Sequence, residues 1–257
     1  MDKQIQDFVL KCVDCTMFTD KKISEPIKHH QVPEKCWQNV AVDLFGPMPS
    51  SKHVVVVHDL SSRFPVATLV SSTKADKVIP VLSNIYDTYG NPEKQISDNG
   101  PPFNSTQMIS FAQSRDIMLQ KIPPRHPNSN PAETFMKPLG KAMKIANQHQ
   151  QSEQGVLRDL LNSYRQTPHP STKVAPADML FRDGIRTNFP RRNISDKNIE
   201  EAKLLDLQKK RFNQDKINAS KYKKISNFKV GDEVLVRNYN RRSKYDPLFE
   251  SKPYNSI

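Results

Sequence analysis

The fold is decided by residues 37–49, which read WQNVAVDLFGPMP. Branched apolar side chains at alternate positions predict a buried β-strand, and the Gly46-Pro47 pair ends it. Asp43 is the charged residue of this stretch and lies near the C-terminal end of the predicted strand. A carboxylate is rarely buried without a partner, so we expect Asp43 to project from the exposed end of the strand.

Two further acidic residues occupy comparable positions. Asp98 follows the strand-like segment QIS and precedes the turn sequence NGPP, at an edge where a strand passes into a loop. Glu133 closes the segment HPNSNPAE, in which Asn130 can cap a helix and Pro131 suits the first helical position. Taken singly, each acid has an ordinary interpretation as a solvated or capping residue. The occurrence of all three together indicates a catalytic site.

Three acidic side chains are what a two-metal phosphoryl-transfer site requires. Hard divalent cations take oxygen ligands, and two ions about 3.5–4 Å apart can hold the attacking and the leaving oxygen. Without metal, clustered carboxylates would repel one another. We therefore predict that Asp43, Asp98 and Glu133 are catalytic residues and ligands of two Mg²⁺ ions, with Mn²⁺ as a substitute.

The segments around these acids predict alternating strands and helices. Residues 53–73 predict two strands joined by a turn, and residues 74–90 predict an amphipathic helix that ends at Gly90. A helix and a strand follow Asp98, and two helices follow Glu133. This order indicates a mixed α/β fold in which helices cover a central sheet.

Five motifs occur in a fixed order: VDLFGP, SDNGPPF, HPNSNPAE, LLNSYRQTPHPSTKVAPADMLF and FKVGDEVLVR. In this order they resemble a gypsy-type retroelement integrase, over nearly the whole chain. The resemblance implies a ribonuclease H-like core, a mixed sheet flanked by helices, in which Asp43, Asp98 and Glu133 correspond to the family's metal ligands. It also implies a polynucleotidyl transferase and endonuclease that processes DNA 3′ ends and transfers them to target DNA as a homo-oligomer. Thr134 departs from the family, which often has Arg there.

The resemblance also implies four regions. Residues 1–22 are expected to be a truncated N-terminal zinc module, and residues 33–195 the catalytic core. Residues 196–225 are expected to form a basic helical linker. Residues 226–257 correspond to part of a small C-terminal β-barrel that binds DNA in this family.

Cys12 and Cys15 have the spacing of half a zinc site. No histidine precedes them, and the adjacent pair His29 and His30 is poorly suited to complete one tetrahedron. Zinc is therefore not expected, although these cysteines are the residues that would hold it. Cys36 is expected to act as a small apolar residue near the first strand.

Basic residues follow Glu133 at helical spacing. Lys137, Lys141 and Lys144 would form a stripe on the helix that begins near Glu133. Contact with DNA phosphates is one interpretation, and an ordinary solvated helix face is the other.

Net charge is +12 and is concentrated after the predicted core. Residues 182–257 contain 19 Lys or Arg and 10 Asp or Glu, a balance of +9. Within them Lys209-Lys210-Arg211 is a candidate DNA-backbone or nuclear-localisation patch, although a solvated linker helix would look the same. DNA is the natural polyanionic partner for such a surface.

Three cysteines, no signal peptide and no apolar stretch of about 18 residues indicate an intracellular protein outside the membrane, with a nuclear setting expected. Three kinds of function stay open. They are an integrating enzyme, a domesticated or decayed relative that binds nucleic acid without catalysis, and an assembly scaffold. The three intact acids favour the first, and the missing histidines favour the second.

Overall fold

The computed structural model describes residues 12, 17–18, 33–122, 132–181, 196–219, 229–238, 240, 243, 246–250, 252 and 254–255. By backbone contacts the chain divides into two compact units. The larger unit is His29–Arg211, and the smaller unit combines Met1–Lys28 with Phe212–Ile257. The N-terminal segment thus groups with the C-terminal one, while the four-region division stays a prediction.

A mixed sheet forms the centre of the larger unit. Its strands are β1 (Asn39–Phe45), β2 (His53–Asp59), β3 (Pro65–Val70), β4 (Lys94–Ser97) and β5 (Met118–Lys121). Their order in the sheet is β3-β2-β1-β4-β5. β1, β2 and β3 pair antiparallel, whereas β4 and β5 continue the sheet in parallel on the other side of β1. The strand predicted from residues 37–49 is therefore the central one, which explains its dense apolar pattern.

Six helices accompany the sheet in the described part of the chain. They are α1 (Ala75–Tyr89), α2 (Thr106–Ser114), α3 (Glu133–Gln148), α4 (Glu153–Gln166), α5 (Pro176–Leu180) and α6 (Asp196–Asn218). Gly90, with a φ of 92°, ends α1, and the Ser105 side chain caps α2 by accepting from the Met108 amide. None of these described helices combines the length and apolarity needed to span a bilayer.

The two faces of the sheet have separate cores. On one face, Val42 and Val55 pack with apolar residues of α1 and α2. On the other face, Val54 and Val56 pack with Phe135 and other apolar residues of α3 and α4. Alternation along each strand sends successive side chains to opposite cores. The predicted mixed sheet flanked by helices is confirmed.

The smaller unit contains a short antiparallel pair, β6 (Glu233–Val234) and β7 (Tyr254–Asn255). The amides of Leu248 and Phe249 donate to the Met17 carbonyl at 2.8 and 3.3 Å, so the N-terminal segment contacts the C-terminal one. Among the described residues this sheet is open and two-stranded. The partial barrel expected for residues 226–257 stays a prediction.

Candidate active site

Asp43 lies on the face of β1 that α3 covers. Val42 packs on the α1 side, so the alternating side chains of Asp43 and Phe45 belong to the opposite face. α3 passes close to this face, because a Cβ built on Gly140 would lie 3.4 Å from Phe45 Cε2. The Asp43 side chain is half-buried, and its Oδ1 accepts a hydrogen bond from the Leu44 amide at 2.8 Å.

Asp98 directly follows β4, the parallel neighbour of β1. The register pairs Ala41 with Ile96, so its extension by two residues sets Asp43 opposite Asp98. Asp98 is exposed, and its Oδ1 accepts a hydrogen bond from the Gly100 amide at 3.0 Å. Gly100 also leaves room for the carboxylate, because a Cβ there would lie 3.2 Å from the same oxygen. The predicted strand-to-loop position of Asp98 is confirmed.

Glu133 is the first residue of α3, which confirms its predicted position in the first turn of a helix. The residue before it, Ala132, is fully buried in a small cluster with Ala41, Ile96 and Ile122. Ala41 and Ile96 stand two positions before the aspartates on β1 and β4, on the same face. The backbone therefore begins α3 over the edge where the two aspartates lie.

We call Asp43, Asp98 and the start of α3 at Glu133 the carboxylate edge. The Glu133 side chain lies outside the described part of the structure, as do Asn130 and Pro131. The meeting of three carboxylates therefore stays a prediction. Among the described side chains, no three His, Cys, Asp or Glu gather into a metal-binding group.

The two described aspartates suit a hard divalent cation. Both supply carboxylate oxygens, the ligand type that Mg²⁺ prefers. Each has one oxygen held by a backbone amide, that of Leu44 for Asp43 and that of Gly100 for Asp98. Both side chains also reach solvent, which leaves a path for ion and substrate.

The three lysines after Glu133 lie on the outer face of α3. Lys137, Lys141 and Lys144 are all exposed. The buried face of the same helix is formed by apolar residues: Phe135, Leu139, Met143 and Ala146. The predicted basic stripe therefore faces solvent and starts one turn after the carboxylate edge. Its contact with DNA stays a prediction.

The second basic group is partly held by the core. Lys209 Nζ donates to the Pro170 carbonyl at 3.1 Å, and Lys210 Nζ lies 3.3 Å from Asp206 Oδ2. Arg211 is exposed. Two of the three residues predicted to bind DNA therefore have protein partners, and DNA binding by this group stays a prediction.

A buried ion pair fixes α6 to the core, and the sequence interpretation missed it. Arg63 Nη2 lies 2.5 Å from Asp206 Oδ2, and these side chains are only 10% and 2% exposed. We call Arg63, Asp206 and Lys210 the latch. Asp206 lies at helical spacing from the buried residues Ile199 and Ala202, and this periodicity was the signal available in the sequence.

Several polar residues have structural roles. Asp59 is buried, and its carboxylate accepts hydrogen bonds from the amides of Trp37 and Ser62 at 3.0 and 2.9 Å. Burial lowers the pKa of His58 to about 3, assisted by the charge of Arg63. His58 thus packs inside the protein, and Asp59 holds the turn that follows β2.

The cysteines differ in how far the structure describes them. Cys36 is half-buried, and its thiol donates to the Met179 carbonyl at 3.3 Å, which agrees with its expected packing role. Cys12 is half-buried as well. Cys15, His29 and His30 lie outside the described residues, so the zinc prediction is not tested.

Sequence comparison connects the chain to transposon proteins. It is 29% identical over 210 residues to an uncharacterized protein of Caenorhabditis elegans, covering 81% of this chain and 16% of that protein. It is 23% identical over 254 residues to the Transposon Tf2-3 polyprotein of Schizosaccharomyces pombe, covering 91% of this chain and 19% of the polyprotein. The chain thus spans less than a fifth of the length of these curated relatives. No protein-family model matches it.

The fold has solved counterparts. A chain of the simian T-cell lymphotropic virus intasome, in complex with PP2A regulatory subunit B56 gamma, superposes with a TM-score of 0.58 at 15% identity, covering 75% of this chain and 69% of that one. The catalytic core domain of BIV integrase gives a TM-score of 0.48 at 16% identity, covering 57% and 95%. The second score is too low to establish a shared fold by itself. The ribonuclease H-like fold and the predicted resemblance to retroelement integrases are confirmed.

Proposed function

We propose that this relative of transposon polyproteins contains the catalytic core of a retroelement integrase and carries out DNA 3′-end processing and strand transfer. The observation that supports this most is the parallel pairing of Ala41 on β1 with Ile96 on β4, two residues before Asp43 and Asp98 respectively. Ala132 packs on the same face, immediately before Glu133. These backbone positions support a site at this edge of the sheet that is formed by acidic residues from distant parts of the chain.

In this proposal Asp43, Asp98 and Glu133 would hold two Mg²⁺ ions, for which Mn²⁺ can substitute. Such ions would stabilise the charge that develops on the attacking and leaving oxygens. The chain's contribution is to fix the carboxylates, and the amides of Leu44 and Gly100 already orient one oxygen of each aspartate.

The chemistry consists of two in-line substitutions at phosphorus. In end processing, water attacks a phosphodiester near the 3′ end of the element, and the P–O3′ bond breaks to leave a 3′-hydroxyl. In strand transfer, that hydroxyl attacks a phosphodiester of the target, forms a new P–O bond and displaces a target 3′-hydroxyl. Positioning and charge stabilisation supply most of the rate.

DNA would lie along α3 in this proposal. Lys137, Lys141 and Lys144 extend from Glu133 over about 16 Å of helix, given a rise of about 1.5 Å per residue. All three are exposed, so their ammonium groups can neutralise phosphates next to the reacting bond. Arg211 is also exposed and suits a backbone contact elsewhere on the duplex.

The partners follow from the proposed reaction. Two ends of one element must be joined to one target, so we infer a homo-oligomer acting on paired DNA ends. A nuclear setting would follow from integration into chromosomal DNA. A relative that binds DNA without catalysis is the second candidate, supported by the exposed lysines of α3.

Strand transfer of a labelled duplex in Mn²⁺ or Mg²⁺ tests the proposal. Asp98→Asn should abolish the reaction, because the amide loses the charge that binds the cation. Asp76→Asn is the matched control, since Asp76 is exposed on α1, which packs against the opposite face of the sheet. Salt-sensitive DNA binding with an inactive wild type would favour the second candidate. Inactivity without DNA binding at about 50 mM salt would leave an assembly scaffold.

A further inference from the structure

The loop that carries Asp98 is held by the end of the edge strand β5. The register pairs Ser97 with Lys121, and the Ile122 amide donates to the Ser97 carbonyl at 2.9 Å. The side-chain amide of Asn99 donates to the Ile122 carbonyl at 3.4 Å. The residues before and after Asp98 are thus both fixed to β5.

Lys121 adds a charged contact to these. Its ammonium donates to the Phe103 carbonyl, and the Phe103 ring is buried in the core shared with α1 and α2. Burial lowers the pKa of Lys121, and attraction to the Asp98 carboxylate offsets part of that shift. The ammonium is therefore within electrostatic reach of Asp98 as well as bonded to its loop.

We propose that Lys121 is a positioning residue for Asp98, an inference that rests on the proposed function. Its ammonium ties the loop of residues 98–103 to β5 and so keeps the Asp98 carboxylate in register with Asp43. The described strand pairing of β4 ends at Ser97, so beyond it the loop is held to the end of β5 by side-chain hydrogen bonds, and Lys121 supplies the charged one.

A lysine beside a metal-binding carboxylate has two opposing effects. Its charge repels a cation, whereas its hydrogen bond orders the loop that supplies the ligand. Lys121 is only half-buried, so solvent screens the repulsion. Loop order is not screened in this way. The tether is therefore the larger effect, and removal of the ammonium should weaken cation binding.

Two substitutions in the full chain separate the effects. Lys121→Met keeps the apolar stem and removes the ammonium, and Lys121→Arg keeps a charge and its donors. Lys94→Met is the matched control, because Lys94 begins β4 and pairs with Met118, at the other end of the strand pair. The two measurements are hydrogen exchange, without metal, of the backbone amides in residues 99–104 other than the two prolines, and Mn²⁺ affinity by calorimetry.

For Lys121→Met we expect about tenfold faster exchange in residues 99–104 and about tenfold weaker Mn²⁺ binding, the size of one lost hydrogen bond. Lys121→Arg should recover most of both, and Lys94→Met should change neither. Unchanged exchange, or tighter Mn²⁺ binding by Lys121→Met, would overturn the inference. If the wild type binds no Mn²⁺ and transfers no strand, the proposed function fails, and the exchange measurement still decides whether Lys121 holds the loop.

Discussion

The two ends of the central sheet use aspartate in opposite ways. At the carboxylate edge Asp98 is exposed and Asp43 half-buried, and each has one oxygen held by a backbone amide. At the other end, the latch buries Asp206 against Arg63 at 2.5 Å. Val40 of β1 pairs with the buried Asp59, close in sequence to Arg63 of the latch. Asp43 lies three residues further along β1, so at about 3.3 Å per residue the two ends are about 10 Å or more apart.

This contrast teaches what burial does to a charge. A buried carboxylate must be satisfied by protein groups, so it serves the fold, and its removal leaves an unpaired cation. An exposed carboxylate costs the fold little and keeps access to solvent ions. Substitutions at the latch should therefore change stability, whereas substitutions at the carboxylate edge should change activity.

The largest effect on stability is expected at the latch. Asp206→Asn leaves the Arg63 guanidinium buried without a counter-charge, which typically costs about 3–5 kcal/mol. Urea unfolding followed by fluorescence of Trp37, the single tryptophan, measures the larger unit. Asp215→Asn, at an exposed site on the same helix, should cost less than about 0.5 kcal/mol. Equal stability of the two variants would contradict the contrast between the ends.

The second-largest effect on stability is expected from acid, through two histidines near the latch. Burial and the charges of Arg63 and His169 lower the pKa of His58 to about 3, and burial lowers that of His169 to about 4. The unfolded chain, with a His pKa near 6.5, binds these protons more readily, so stability falls as pH drops from about 6.5 toward these values. For His58 the loss at pH 5 is about 2 kcal/mol relative to neutral pH.

A variant without the buried imidazole isolates this effect. His58→Asn should lose about 2 kcal/mol less than the wild type between pH 7.5 and pH 5 in urea unfolding. His149→Asn, at an exposed site after α3, should retain the wild-type dependence. A wild-type pH dependence in His58→Asn would show that other groups titrate.

A smaller change in stability with a clear change in activity is expected at Gly100. In Gly100→Ala the new methyl group would lie 3.2 Å from Asp98 Oδ1, so the carboxylate would have to shift by a few tenths of an ångström. We expect strand transfer to fall about tenfold or more, with less than about 1 kcal/mol change in stability. Gly155→Ala is the control, since its methyl group would meet Ser152 Cβ at an ordinary 3.7 Å. Full activity of Gly100→Ala would show that strand transfer does not depend on the position of the Asp98 carboxylate.

The smallest stability effect is expected for the basic stripe. Replacing Lys137, Lys141 and Lys144 by Gln should leave stability within about 0.5 kcal/mol, because all three are exposed. Duplex affinity should fall at low salt, and the slope of log affinity against log salt should decrease by about 2–3. The pair Lys74→Gln and Lys77→Gln, at exposed sites near the start of α1, serves as the control. An unchanged salt slope would show that these lysines do not contact DNA and form an ordinary solvated helix face.

Local patterns predicted most of the core. Alternating apolar residues marked β1, and Gly90 marked the end of α1, because strand burial and helix termination depend on residues close in sequence. The edge positions of Asp43 and Asp98 followed from the same patterns. For α6 the pattern predicts only a basic helical linker, because its composition is charged and its buried positions are few.

The latch and the Lys121 tether could not be read locally. Arg63 and Asp206 lie 143 residues apart, and Lys121 is 18 residues from the carbonyl it contacts. A lone lysine or aspartate in sequence has the same appearance whether it is solvated or paired. Its role depends on which cations, carbonyls and apolar groups the fold brings around it.

The sequence by itself determined the strands, the main helices and which residues carry acid and base, because these depend on side-chain chemistry and short-range periodicity. The tertiary structure alone decided that Asp206 is buried against Arg63. It also decided that β1 and β4 pair in parallel with Ala41 beside Ile96, two residues before Asp43 and Asp98. The physical reason is that desolvation and pairing of charge are set by neighbours distant in the chain, and only folding brings these together.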